Sequence, residues 1–178
     1  ATREHSALSV SDMPIIHDSI KNLSYQPFFQ NDSLYLKEFR LKGQDTIHLL
    51  IKKVDYKIGS GHHTNSHLFE INGYLHQMPY TYYTQDNIAD LPPGFEDGYN
   101  SRFTREIALE CMSCHNAHVD HESASSNKYK TIPQGIDCES CHGPGELHVK
   151  RKLAGEIIDT SKYIDYSIVN PEKLPLDL

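Results

Sequence analysis

All four cysteines of this 178-residue chain fall in two short units, "CMSCH" from Cys111 to His115 and "CESCH" from Cys138 to His142. No other feature constrains the fold as strongly. Cysteines at i and i+3 share one side of a helical turn, and the histidine that follows projects from the same turn. A disulfide inside either unit would close a loop of only two residues. A four-cysteine zinc site is a rival, but 23 residues separate Cys114 from Cys138, beyond the usual spacing of about 15–20. A thioredoxin-like dithiol needs a βαβ surround, and neither unit has one.

CxxCH is the attachment signature of c-type haem. The two thiols form thioethers with the vinyl groups on one porphyrin edge. The adjacent histidine then gives its imidazole to iron as proximal ligand. On this reading Cys111, Cys114, Cys138 and Cys141 hold two covalent haems c, and His115 and His142 are the proximal ligands. Covalent attachment suits a lean chain: 38% of residues are hydrophobic and Trp is absent, beside 11 Tyr and 6 Phe.

Twelve histidines supply candidates for the sixth ligands. His148 follows His142 by six residues, which span about 20 Å at full extension, less with Pro144 between them. His148 is therefore assigned to a different haem, and such sharing draws haems close enough for electron passage. His62 follows Gly59-Ser60-Gly61, where the backbone can approach a flat ring, and is the second distal candidate. His5, His67, His118 and His121 rank lower. His48 and His76 sit in strand patterns as packed or surface residues. Met13 and Met78 are alternative axial sulfurs, or else core. Lys150, Arg151 and Lys152 form a solvated basic helix end, or pair with propionates.

The remaining pattern is strand-like first and irregular later. Residues 1–32 read as irregular, punctuated by Met13-Pro14 and Gln26-Pro27. Leu34, Leu36 and Phe39, a turn at 42–45, then Ile47, Leu49 and Ile51 predict strands. Val54, Tyr56 and Ile58 continue on the opposite parity, so a bulge near Lys52-Lys53 is expected to restore one buried face. Asn72-Gly73 predicts a type I′ hairpin over 67–83, with Tyr80, Tyr82 and Tyr83 packed on the sheet or a haem edge. A short helix is expected over 105–110, a polar connector over 119–134, and a helix from Glu146 to a Gly155 cap. The last residues read as extended.

A net charge of −7 excludes a nucleic-acid partner, and no apolar run is long enough to span a membrane. With Ala1 first, the chain reads as either a mature or a cut N-terminus.

"GIDCESCHGPGELHV" is similar to the multihaem cytochrome c superfamily that includes the nitrifiers' tetrahaem cytochrome and hydroxylamine oxidoreductase. "IGSGHHTNSHLF", "GYLHQMPYTYY", "LPPGFE" and "ECMSCHNAH" resemble a bacterial branch of large multihaem cytochromes, and the similarity covers most of 55–178. It implies that the histidines of Gly-Ser-Gly-His and Gly-Pro-Gly-x-x-His, here His62 and His148, are distal ligands. It also implies haem attachment outside the cytoplasm. Members usually carry further CxxCH units before the equivalent of His5 and after "IVNPEKL". Neither is present, so the chain is expected to be a fragment of a larger cytochrome or a reduced dihaem version. Neighbouring haems would then come from another chain or a missing segment.

The expected fold is α+β: one domain over 1–178, with a small antiparallel sheet at 33–83 beside a loop-rich haem segment with short helices at 104–155. The expected function is electron relay in the periplasm or outside the cell, with redox proteins or further haem domains as partners. The family mixes carriers with enzymes. An oxidoreductase acting on a small nitrogen or sulfur compound at a five-coordinate haem is therefore the alternative, and a zinc-stabilised binding module the second.

Overall fold

A computed structural model describes residues 13–59 and 61–175, and the backbone of Thr2–Arg3. His5 lies outside the described residues. The chain divides into two compact units, residues 1–135 and 136–178.

The first unit is built of strands. One antiparallel sheet holds β2 (Ile16–Asp18), β3 (Leu23–Gln30), β4 (Ser33–Lys42) and β5 (Asp45–Lys53), in that order. A second runs β1 (Thr2–Arg3), β6 (Tyr56–Ile58), β7 (Thr64–Ile71), β8 (Tyr74–Tyr83) and β9 (Ile88–Asp90). A two-stranded ribbon joins β10 (Asp120–His121) and β11 (Tyr129–Thr131). The α-helices among the described residues are short: α1 (Leu109–His115), α2 (Glu139–His142) and α3 (Glu146–Leu153). The α+β expectation is therefore corrected: the protein is mostly β. Turn-linked alternating segments dominate from residue 16 to residue 90, and the helices are little longer than the motifs they carry.

Residues 16–30, read as irregular, are strands. Ile16, Leu23 and Tyr25 are buried and face the core. Pro27 was misleading, because it lies inside β3. Among the described residues, pairing with β2 stops at Tyr25, so beyond it that edge of β3 has no strand partner and a missing N–H is tolerated there.

The parity change after Ile51 is a change of sheet. β5 ends at Lys53, and Val54 N donates to Leu34 O while Asp55 N donates to Leu68 O. The chain thus steps from one sheet to the other, with Val54 buried in between. The bulge lies elsewhere, in the β4–β5 ladder beside Arg40/Leu41. β5 is an edge strand, and Ile47, Leu49 and Ile51 are exposed rather than buried.

The core between the two large sheets joins Leu23, Tyr25, Leu34 and Leu36 to Phe69, Met78, Tyr80 and Tyr82. The Asn72-Gly73 hairpin forms as expected: Ile71 pairs with Tyr74, and both turn residues have positive φ, 52° and 87°, as a type I′ turn requires. Its ladder shifts register between Ser66 and Leu68. The opposing stretch contains Pro79, which cannot donate a ladder bond. The shift packs Met78, Tyr80 and Tyr82 inward, all buried.

One polar network closes this sandwich. Glu38 is fully buried and accepts hydrogen bonds from Arg102 and from His48 Nε2 at 2.7 Å. Burial pushes its carboxyl up, but the Arg102 and His48 bonds outweigh that and hold it below the ordinary value. Asn100 bridges Asp18 and the Tyr25 hydroxyl. Residues 100–102 are thereby tied to the four-stranded sheet, just upstream of the first cysteine motif.

Candidate functional site

The first motif is α1 itself. The helix expected over 105–110 starts later, because Glu106 and Ile107 extend the sheet instead. Gln77 N donates to Arg105 O, Ile107 N donates to Leu75 O, and His76 bridges Glu106. Leu109–His115 then forms two turns. Met112 is fully buried and packs with Tyr56, Leu68, Leu75, Ile107, Val119 and Tyr129. With Met112 anchored inward, Cys111, Cys114 and His115 are exposed. The 3.6-residue period fixes this outcome, since Cys111 and Cys114 flank the buried position. Tyr129 braces the helix approach by donating its hydroxyl to Ile107 O at 2.9 Å. Burial, aided by the nearby Cys111 and Glu110, pushes its phenol up to about 12.

The second motif lies in the second unit. Asp137 Oδ1 accepts from Ser140 N at 2.8 Å and starts the turn. His142 N and Cys141 N both donate to Cys138 O. Cys138, Cys141 and His142 are exposed. Gly143, at φ 67°, turns the chain directly after His142. Glu139 Oε1 then accepts from Gly145 N at 2.7 Å, and α3 begins. α3 ends as the sequence predicts: Gly155 N donates to Lys152 O and Glu156 N to Arg151 O, the paired bonds of a Schellman motif.

The tail is folded rather than extended, and it reaches back to both histidines of this unit. His142 Nδ1 donates to Val169 O at 2.9 Å, while Val169 N donates to His142 O at 3.0 Å. A carbonyl only accepts, so Nδ1 is the donor and Nε2 is the ring nitrogen this bond does not use. His148 Nδ1 lies 3.1 Å from Ser167 Oγ and 3.3 Å from Asp165 Oδ2. Ser167 donates onward to Asp165 Oδ1, so it accepts from His148, and again Nε2 is the nitrogen left available. Lys152 Nζ lies 3.0 Å from Asp165 Oδ2, which gives that basic residue a partner within its own unit. The Ser167 hydroxyl and backbone, with Lys152, hold the Asp165 carboxyl far below the usual carboxylate range. Sequence reasoning missed Asp165, Ser167 and Val169. A run of Asp and Ser in the tail signals turns, and nothing in it names a histidine as target.

The second unit buries almost nothing apolar. Among its described residues Ile136, Leu147, Val149, Leu153, Ile157, Tyr163, Ile164, Tyr166 and Leu174 are exposed. A segment this short lacks the surface-to-volume ratio for a core of its own. A large flat apolar group bonded to Cys138 and Cys141 would supply the missing partner, so the residues present fit a covalent haem.

His62 and His63 sit exposed on the loop that enters β7. Gly59, at φ 128°, is required there for a local reason: a Cβ would come within 1.9 Å of Thr64 O. Gly61 has open space on its Cβ side. The other histidines are placed by packing. His67 is buried beside Tyr80 O, His76 stacks on Phe69, His48 bonds Glu38, and His121 packs edge-on to Tyr129. His118 is exposed. Met13 and Met78 are core residues. Among the described residues, no group of three or more His, Cys, Asp or Glu side chains converges as it would around a protein-bound metal ion.

Residues 94–143 match the family model of cytochrome c554 and c-prime. The matched stretch contains both cysteine motifs, and the two distal candidates, His62 and His148, lie outside it. It supports a c-type cytochrome, a class defined by covalently bound haem c. No curated protein and no solved structure matches the chain. Among the described residues no helix is long and apolar enough to cross a membrane.

Proposed function

We propose that this protein is an electron-carrying c-type cytochrome with two haems. One is bonded to Cys111 and Cys114 with His115 as proximal ligand. The other is bonded to Cys138 and Cys141 with His142. His62 and His148 are the distal ligands, and His148 serves a haem other than the one on His142. The observation that carries this reading is the orientation of His142. It ends a helical turn whose two cysteines are exposed, and its Nδ1 is held by a backbone carbonyl, the arrangement that presents Nε2 to iron. Two histidine ligands per iron leave no open position, which favours relay over catalysis and a lower potential than histidine–methionine ligation. The electrons pass to redox proteins or further haem domains. The compartment is periplasmic or extracellular, where haem is attached to such motifs.

The test is a pyridine haemochrome spectrum on protein made in a host that matures c-type cytochromes. A haem-to-protein ratio near two, with colour surviving acid–acetone extraction, is the expected result. A high-spin haem that binds carbon monoxide would favour an oxidoreductase. A colourless protein holding stoichiometric zinc would overturn the reading altogether.

A further inference from the structure

We propose that the tail segment Asp165–Val169 is the element that positions both histidines of the second unit. It gives them different partners, a neutral carbonyl for His142 and a carboxylate relay for His148. The inference rests on the dihaem reading above and deepens it.

Three observations carry it. Val169 makes two reciprocal hydrogen bonds with His142, one from the ring and one to the backbone, so ring and main chain are fixed together. Two residues upstream, Ser167 is 6% exposed and takes the His148 Nδ1 proton bond at 3.1 Å. The Asp165 side chain is 7% exposed, 3.3 Å from the same nitrogen, and anchored by Lys152 from α3. Each imidazole thereby uses Nδ1 for its partner in the tail, which leaves Nε2 as the nitrogen for iron. The partners differ in charge. A carboxylate behind an imidazole makes it the stronger electron donor and stabilises oxidised iron. Of the two histidines, His148 is therefore the ligand built to lower its haem's potential. Asp165 and Ser167 act through His148 and are positioning residues.

The same turn without a histidine provides the control. Asp159 Oδ1 accepts from the Ser161 amide and hydroxyl, as Asp165 does from Ser167. In the holoprotein, His148→Ala should convert one haem to high spin. If it does not, His148 is not a ligand, and both this inference and that part of the functional reading fall. With that conversion seen, Asp165→Asn and Ser167→Ala should each raise cyanide capture at the same haem about tenfold or more, the usual effect of removing a ligand's supporting partner. Asp165→Asn should also move that haem's midpoint potential positive. Ser167→Ala, which keeps the charge, separates ring positioning from electrostatics. Asp159→Asn should change neither cyanide capture nor potential. Asp165→Asn and Ser167→Ala variants indistinguishable from Asp159→Asn, in a protein where His148→Ala is high-spin, would overturn the proposal while leaving the dihaem reading intact.

Discussion

Replacing Arg102 with alanine tests how the first unit is closed. Glu38 has no exposed surface, and Arg102 reaches it with both Nε and Nη2, Nε lying 3.0 and 3.2 Å from its two oxygens. Without the guanidinium, a buried carboxylate keeps only the His48 and Tyr25 side chains as hydrogen-bond partners. Breaking a buried pair typically costs about 3–5 kcal/mol. The Arg102 side chain is 42% exposed, so water can reach the vacated side and the loss should fall to about 2–3 kcal/mol. For a chain of this size that is a melting shift of roughly 4–12 °C. Far-UV circular dichroism is the suitable probe, because the chain has no Trp. The double variant Glu38→Gln/Arg102→Ala should regain most of the loss, since no uncompensated charge remains. The pH dependence has a definite sign. Folding holds the Glu38 carboxyl below its ordinary value, chiefly through the Arg102 and His48 bonds, so its contribution is present above the ordinary carboxylate range and is lost as pH falls through the lowered value. The gap between wild type and Arg102→Ala should therefore narrow in acid. A single variant that melts within 1 °C of wild type, or a double variant no better than the single, would show that the carboxylate is not desolvated as described.

Gly73→Ala should cost about 1–3 kcal/mol, because the residue sits at φ 87° and a Cβ would lie 2.9 Å from Tyr129 O; urea denaturation measures it. Tyr129→Phe should cost about 1 kcal/mol through the lost bond to Ile107 O. Its phenol should resist ionisation until about pH 12 in an ultraviolet titration, so its contribution is full below about pH 10 and is lost as pH rises through about 12. On the dihaem reading, Cys138→Ser/Cys141→Ser should halve the haem-to-protein ratio; loss of both haems would refute independent attachment. Protein made without haem should exchange amide hydrogens freely across residues 136–175, where most apolar side chains are exposed.

The helical turns that carry the two cysteine motifs were more legible than the sheets. Two thiols and a histidine at fixed spacing leave few alternatives, and a folded turn was implied by the spacing itself. The Asn72-Gly73 hairpin was legible for the same reason, since its φ demand is local. The strands over 16–30 were hidden because Pro27 reads as a breaker unless the short reach of β2 is known. The row Ile47, Leu49 and Ile51 misled in the opposite direction. Alternation signals a strand, but only sheet order reveals that β5 is an edge whose inward side chains are His48, Leu50 and Lys52. The clamp on His142 was illegible because the contact is made by a backbone carbonyl, and any residue at 169 carries one.

That carbonyl contact closes a ring of chain. Between His142 and Val169 the polypeptide runs through α3 and a series of turns before returning to the same backbone. Closing a flexible loop costs free energy that grows only with the logarithm of its length, about 0.6 kcal/mol per doubling. The turn-rich stretch at 156–164 can therefore lengthen, shorten or take on new surface without disturbing either imidazole. The second unit thus has a built-in place to change its surface, while the geometry at His142 and His148 stays as it is.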